Sequence, residues 1–259
     1  MERQIQFENH TGEALAGTLH QPREAPVGAV IFGHCFTCSR HTGVLRRICA
    51  GLCDAGFAAL RFDFSGNGQS QGQFEHSTWS KQIREMEAAI ALMQKKGAPW
   101  IGLAGHSLGA GIALLTARRV QAVSAICRLA GRIRATGPTH FFTSSQQDTL
   151  ARTGEVAFTS RGRELTLNTD FFEDARTYDL EAVTRSLAIP MLVVHGDRDE
   201  IIPVSEAHLA KAANPRKVEL IIVAEGDHML SRPEHQRQVA HTVTQWFCRQ
   251  AGVSAPEEN

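Results

Sequence analysis

A serine between two glycines is the residue whose surroundings most directly indicate chemistry in this sequence. Ser107 lies in a Gly-x-Ser-x-Gly pentapeptide at residues 105–109, after the apolar run 100–104 and before a helical pattern. In that context the motif forms a sharp turn that exposes the serine hydroxyl at the carboxyl end of a parallel sheet. Such a hydroxyl becomes a nucleophile when a base takes its proton. Because the chain has 22 glycines, the motif alone is weak evidence, so a base and an orienting acid must be found elsewhere.

The acid and the base are predicted in two later loops. Asp199 follows the apolar run 191–194, and His228 follows the run 220–223. When the nucleophile lies on this kind of turn, the acid follows it along the chain and the histidine comes last. The order Ser107, Asp199, His228 meets this requirement. Asp197 is the alternative acid, but Asp199 lies further into its loop, where its side chain can turn back toward the histidine.

Two backbone amides are expected to bind the oxyanion that forms when the serine attacks a carbonyl group. One is the amide of Leu108, which follows the nucleophile at the start of a helix whose dipole favours an anion. The other belongs to the loop 33–38 after the third strand, where Phe36 is the predicted donor and Cys35 is the alternative.

The remaining histidines and cysteines are interpreted as structural. The chain has twelve histidines, and His34, His106 and His195 lie at strand ends, where packing is their expected role. Six cysteines without an export signal indicate reduced thiols in the cytoplasm. Cys35 and Cys38 form a Cys-x-x-Cys pair, but no second pair with metal-ligand spacing exists. We therefore expect free thiols in a packed loop, with redox or metal chemistry as the alternative.

Composition argues against several classes of partner. Lysine plus arginine equals aspartate plus glutamate at 27 each, so nucleic acid is not an expected partner. The sequence contains no run of about 18 apolar residues, which is the length needed to span a membrane. The glycine-rich residues 63–70 are one residue short of a dinucleotide-binding fingerprint and open no helix. The sequence predicts a cytoplasmic protein with no cofactor, metal or membrane partner, and it leaves a homodimer open.

Strands and helices alternate along most of the chain. Residues 4–7 and 14–19 have the alternating pattern of an antiparallel hairpin. Six short apolar runs are typical of strands buried on both faces: 27–32, 57–62, 100–104, 123–127, 191–195 and 218–223. Helical patterns lie between them, at 43–55, 80–96, 108–119, 180–187, 204–213 and 233–249. This order predicts a mostly parallel, doubly wound sheet of eight strands with an antiparallel N-terminal hairpin.

One region, from about residue 131 to 176, breaks the alternation. It carries five phenylalanines among polar residues with no clear period, and it is too long for an ordinary connection. We interpret it as a small cap over the carboxyl edge of the sheet, whose apolar side chains line a pocket. The alternative is a surface excursion with its own small cluster.

The motifs together resemble the serine hydrolases of the α/β-hydrolase superfamily, over nearly the whole chain. Within it, the sequence is most similar to small-capped bacterial esterases that include the cinnamoyl (feruloyl) esterases. The similarity rests on the loop 33–37, the run 61–72 after the fourth strand, the turn 105–109, and Asp199 and His228 with the glycines before them. The chain departs from the pattern at Cys35, where many members have glycine, and at Leu108, where the cinnamoyl esterases have glutamine.

The resemblance implies one α/β-hydrolase domain over residues 1–259 with a cap at about 131–176. It also implies a hydrolase of small-molecule carboxylic esters with small to medium or aromatic acyl groups. Ser107 is the expected nucleophile of an acyl-enzyme pathway, with His228 as the base and Asp199 as its orienting acid. Thioester or peptide hydrolysis on the same residues is the alternative, and a non-catalytic binding protein on this scaffold is a more distant one.

Overall fold

An eight-stranded sheet lies at the centre of the computed structural model, which describes residues 1–134, 137 and 141–255. Its strands are β1 (Glu2–Glu8), β2 (Ala14–His20), β3 (Ala29–Gly33), β4 (Ala58–Phe62), β5 (Ile101–His106), β6 (Val123–Leu129), β9 (Met191–Gly196) and β10 (Val218–Val223). They lie side by side in the order β1-β2-β4-β3-β5-β6-β9-β10. β2 pairs antiparallel with β1 and β4, and all other pairs are parallel. The predicted mostly parallel sheet with an N-terminal antiparallel hairpin is confirmed.

Helices cover both faces of this sheet. The α-helices of the described residues are α1 (Gly43–Asp54), α2 (Trp79–Lys95), α3 (Leu108–Arg119), α4 (Ser144–Thr153), α5 (Asp170–Ala175), α6 (Leu180–Ser186), α7 (Ser205–Ala213) and α8 (Pro233–Ala251), of which α4 and α5 lie in the segment between β6 and α6. Buried side chains of α1 and α8 form one apolar core against the sheet, and those of α2, α3, α6 and α7 form the other. None of the helices in the described part of the chain is long and apolar enough to cross a membrane. Because every parallel strand ends at the same edge, the loops after β3, β5, β9 and β10 are brought together there.

The segment between β6 and α6 is more regular than its sequence predicts. It contains α4, a two-stranded hairpin of β7 (Glu155–Ser160) and β8 (Arg163–Asn168), and α5. The hairpin pairs with no strand of the main sheet. Phe142, Phe171 and Phe172 are buried, whereas Phe141 is 38% exposed. Residues 135, 136 and 138–140 of the predicted cap lie outside the described residues.

The loop after β3 contains a disulfide between Cys35 and Cys38. The expectation of free thiols is therefore wrong for this pair, while the other four cysteines are free: Cys49, Cys53, Cys127 and Cys248. The physical reason is local: the Cys38 amide donates to the Cys35 carbonyl at 3.1 Å, which closes a turn with the two Cα atoms 5.1 Å apart. That separation suits a disulfide.

A buried ion pair joins the end of this loop to the loop after β4. Arg40 and Asp63 are 2% and 0% exposed, and the Arg40 guanidinium donates to the Asp63 carboxylate. The same carboxylate accepts hydrogen bonds from the backbone amides of Arg40 at 2.6 Å and Gln69 at 3.0 Å. Since both charged side chains are buried away from water, each depends on the opposite charge of the other for its stabilisation.

Replacing Asp63 by asparagine should lower the free energy of unfolding by about 3 kcal/mol, because Arg40 would stay buried without a counter-charge. Denaturant unfolding measures this loss. The matched control is Glu87→Gln, which removes the acid of the partly exposed Arg119–Glu87 pair and should cost less than about 1 kcal/mol. Equal losses in the two variants would contradict the structural role given to Asp63.

Candidate active site

Ser107 occupies the single position between β5 and α3. Its φ of 56° is in the left-handed region, which non-glycine residues rarely adopt. The turn is held by the Ser107 amide, which donates to the Leu129 carbonyl at 2.8 Å. A Cβ atom on Gly105 would collide with the Gly109 backbone, and one on Gly109 would collide with the Gly33 backbone. The glycines of the motif are therefore required by the close passage of strand, turn and helix.

The structure brings Asp199 and His228 together across two loops. His228 Nδ1 lies 2.8 Å from Asp199 Oδ2, and the amides of Ile201 and Ile202 donate to Asp199 Oδ1 at 2.9 and 2.7 Å. When Nδ1 carries the proton, Nε2 of His228 is left as an acceptor, as a general base requires. Asp197, the alternative acid, is exposed.

Asp199 is held in its ionised form. Burial alone would raise its pKa, but hydrogen bonds from His195, His228 and the Ile202 amide hold the pKa well below its usual range. His195 Nε2 lies 3.2 Å from Asp199 Oδ2 and 2.8 Å from the Ile202 carbonyl oxygen. A negative charge beside His228 Nδ1 would stabilise the imidazolium form of this histidine if it acts as a base.

His106 contacts the predicted base from the other side. Its Nε2 lies 2.7 Å from the His228 carbonyl oxygen, and the two rings are 5.0 Å apart between centroids. Burial and the nearby charge of His228 lower the pKa of His106 to about 3. His106 is therefore neutral, so it donates to the His228 backbone and adds no charge beside the base.

His34, His106 and His195 are buried, as their strand-end positions predict, but all three also shape the site. His34 Nε2 accepts from the Phe64 amide at 3.0 Å, and its Nδ1 lies 2.7 Å from the Cys35 carbonyl oxygen in the predicted oxyanion loop. Sequence reasoning missed these positioning roles. The available signal is their closeness along the chain to the predicted site residues: His106 is one residue before Ser107, His34 is two before Phe36, and His195 is four before Asp199.

The two predicted oxyanion donors line the same pocket as Ser107. Leu108 is the first residue of α3, so its amide has no carbonyl partner within the helix. In the loop after β3, the hydrogen bond that closes the turn uses the Cys38 amide and leaves the Phe36 amide outside it. Among the residues described, no hydrogen bond joins Ser107 to His228; such contacts are often long in enzymes without substrate.

The pocket beside Ser107 is mostly apolar and open to solvent. Its free space, including the space at its mouth, is about 440 Å³. Its other lining residues come from the main fold and the cap: Phe36, Trp79, Leu108, Gly111, Arg132, Phe141, Phe171, Leu180 and Ile202. The Phe36 ring lies 4.9 Å from Phe141 and 5.0 Å from Phe171 between centroids, so the cap meets the oxyanion loop through aromatic contacts. Arg132 is the one charged group among these lining residues. The pocket has the largely apolar character of a small-molecule site.

Comparison with known proteins identifies the family. The family described as serine aminopeptidase, S33, matches residues 24–234. The chain belongs to this hydrolase family. No curated protein matches the chain in sequence.

Solved structures resemble this hydrolase over nearly all of its length. The esterase domain of a Rhodothermus marinus protein is 26% identical, with a TM-score of 0.76 over 96% of this chain and 98% of that one. Est1E from Butyrivibrio proteoclasticus, solved with ferulic acid bound, is 23% identical, with a TM-score of 0.79 over 96% of this chain and 99% of its own. A putative hydrolase from Agrobacterium vitis S4 is 21% identical, with a TM-score of 0.79 over 94% and 97% of the two chains. The α/β-hydrolase fold and the resemblance to esterases of this kind are confirmed.

The neutral state of His106 predicts how the stability of this hydrolase depends on pH. Its folded pKa of about 3 lies below the ordinary value of 6.5, so the unfolded chain binds the proton more tightly. Stability therefore falls as the pH drops below about 6.5, and this single group accounts for about 2 kcal/mol between pH 7 and pH 5. Denaturant unfolding at the two pH values should show that His106→Gln loses less stability on acidification than the wild type. The same loss in both proteins would contradict a neutral buried His106.

Proposed function

We propose that this hydrolase cleaves carboxylic esters with small to medium, apolar or aromatic acyl groups through an acyl-enzyme intermediate on Ser107. The main support is the 2.8 Å contact between His228 and an ionised Asp199, at the same edge of the sheet as a serine held on a strained turn. An ionised acid behind a histidine is the arrangement that turns a serine hydroxyl into a nucleophile.

In the first half of the reaction, Ser107 Oγ attacks the ester carbonyl carbon while His228 Nε2 takes the hydroxyl proton. The carbonyl oxygen becomes an anion, which the amides of Phe36 and Leu108 bind. The intermediate collapses as the carbon–oxygen bond to the alcohol breaks, and His228 gives its proton to the departing oxygen. The acyl group is then bonded to Ser107.

In the second half, a water molecule replaces the alcohol. His228 takes a proton from the water as its oxygen attacks the acyl carbon, and the same two amides bind the new oxyanion. The bond to Ser107 Oγ breaks, Ser107 regains a proton from His228, and the carboxylic acid leaves. Asp199 stays ionised throughout and stabilises the imidazolium in both halves.

The pocket supports an ester with a compact acyl group. Its apolar walls and aromatic rings suit a flat or short aliphatic acyl group. Est1E was solved with ferulic acid, an aromatic acid. Peptide cleavage from a free amino terminus would need a counter-charge for the ammonium group, whereas the charged lining residue here is the cation Arg132. The lining therefore favours an ester over an aminopeptidase substrate, despite the description of the family.

Replacing Ser107 by alanine should lower kcat for p-nitrophenyl butyrate by at least about 10³-fold. Asp199→Asn should cause a loss of similar size, since the neutral amide can hold the wrong tautomer of His228. The matched control is Asp197→Asn, two residues away and exposed, which should stay within about twofold of the wild type. Unfolding midpoints should show that Ser107→Ala keeps the fold. Retention of most activity in Ser107→Ala would contradict the proposal.

The acyl range can be measured with the unmodified protein. Across p-nitrophenyl esters from acetate to palmitate, kcat/KM should be highest for the shorter acyl groups, because the pocket cannot enclose a long chain. Methyl ferulate and methyl butyrate, assayed side by side, test the aromatic preference. A maximum at palmitate would contradict the assignment of the acyl group to this pocket.

A further inference from the structure

A second groove lies on the other side of the predicted oxyanion loop. The free space in this groove, including the space at its open mouth, is about 880 Å³. Its lining includes two arginines, Arg161 and Arg163, together with Thr37, Ser39, His41 and Thr42. It also includes Met229, the residue after His228. The groove therefore runs from the predicted oxyanion loop to the predicted base, and the tip of the cap hairpin forms one wall.

The side of His228 is the side on which the alcohol must leave. The histidine gives its proton to the departing oxygen, so the alcohol portion of an ester lies toward His228, while the acyl portion lies in the apolar pocket. Thr37 and Met229 line the groove and directly follow Phe36 and His228 in the chain, so the groove borders both the predicted oxyanion loop and the loop that carries the predicted base.

The polar groups of the groove fit an anion. Two guanidinium groups and three hydroxyls line it, and none of its lining residues is a carboxylate. The Asp63 carboxylate lies behind Gly68, but it is fully buried and paired with Arg40. Guanidinium groups bind carboxylate and phosphate oxygens through paired hydrogen bonds. Of the three hydroxyls, that of Thr42 donates to the Ser39 carbonyl and that of Thr37 is paired with Ser160, whereas Ser39 Oγ accepts from the His41 amide and can donate to a ligand.

Both arginines are held at the groove without an acidic partner among the described residues. Arg163 Nη2 donates to the Thr37 carbonyl at 2.9 Å, and Thr37 Oγ1 lies 2.8 Å from Ser160 Oγ, which fastens the hairpin to the oxyanion loop. Arg161 Nη2 lies 3.4 Å from the Met229 sulfur, so its guanidinium reaches toward the base. The charge of Arg161 also contributes to the lowered pKa of His106, although burial is the main cause.

Arg161 occupies a backbone position that does not suit an arginine. Ser160 pairs with Arg163, so Arg161 and Gly162 form a two-residue turn, with φ values of 52° and 72°. Turns with two positive φ values strongly prefer asparagine, aspartate and glycine, because a longer side chain is strained there. A residue kept in a costly conformation beside a reactive site is typical of a functional role.

We infer that this groove binds an anionic group on the alcohol portion of the substrate, a carboxylate or a phosphate, with Arg161 as its principal donor. This inference rests on the proposed ester hydrolysis at Ser107. It adds that the natural substrate is an ester that is apolar on its acyl side and negatively charged on its alcohol side.

The test compares matched butyrate esters that differ in the charge of the alcohol portion. The alcohols are 3-hydroxybenzoate and 3-(3-hydroxyphenyl)propanoate, each with its neutral amide as the isostere, and a phenol that carries a phosphate at position 3, with its neutral dimethyl phosphate as the isostere. For at least one anionic alcohol, kcat/KM should exceed that of the neutral ester by about tenfold. The preference should weaken as ionic strength rises. The larger ratio, for carboxylate or for phosphate, identifies the group that the groove accepts.

Arg161→Asn removes the guanidinium and supplies a residue that the turn prefers. The anion-to-neutral ratio should fall to near one, while the unfolding midpoint stays the same or rises. Arg161→Lys should keep part of the ratio. The matched control is Arg23→Gln, an exposed arginine before β3 at the opposite edge of the sheet, which should keep the full ratio.

Two outcomes would overturn the inference while leaving ester hydrolysis intact. One is hydrolysis of all the esters with no preference for an anionic alcohol. The other is a preference that survives in Arg161→Asn. If none of the esters is hydrolysed and Ser107 is not acylated, the proposed function fails and the inference fails with it.

Discussion

The close passage of three backbone segments at Ser107 is the constraint on which the site depends. β5 must end, reverse its direction and start α3 within one residue, and α3 must pass directly beside the end of β3. Only glycine at positions 105 and 109 leaves room for this path. The positive φ of Ser107 is the cost of the turn. The surrounding sheet keeps the turn in place because β5 pairs with β3 up to Gly105 and with β6 up to His106. The same path brings the Leu108 amide and the loop after β3 to the side chain of Ser107.

Buried polar groups with hydrogen-bond partners are the second requirement of the site at this edge of the sheet. Asp199 has a fully buried side chain, yet it stays ionised because two backbone amides and two histidines donate to it. His106 is buried and neutral, and it holds the backbone of His228 rather than its ring. In a low-dielectric site such contacts are stronger than in water. They fix the orientation of His228 before any substrate arrives, which is the preorganisation that the proposed acyl transfer needs.

The sequence predicts those parts of the molecule whose signal is local or whose chain order is constrained. Strands buried on both faces appear as continuous apolar runs, so β3, β4 and β9 are predicted to within about two residues. Ser107, Asp199 and His228 can be chosen because a turn, an order and two strand ends restrict the options. Loop geometry favours Asp199 over Asp197 as the acid, and the structure brings Asp199 to His228.

Other features depend on contacts between distant segments. The hairpin of β7 and β8 is short, mostly polar and turned by Arg161 and Gly162, which is not a common turn pair, so its pattern does not stand out. The Cys35–Cys38 disulfide follows from a loop conformation that spacing alone does not reveal. The roles of His106 and His195 appear only when the loops after β9 and β10 meet, because each histidine contacts a residue or backbone atom outside its own strand.

The most direct test of the account is to trap the covalent intermediate. The protein is mixed rapidly with p-nitrophenyl butyrate, quenched in acid within the first turnover, digested, and analysed by mass spectrometry. The account predicts a burst of p-nitrophenol that approaches one equivalent per protein and a single butyryl group on the peptide that contains Ser107. A butyryl group on another residue, or turnover without any acylated peptide and without a burst, would contradict it.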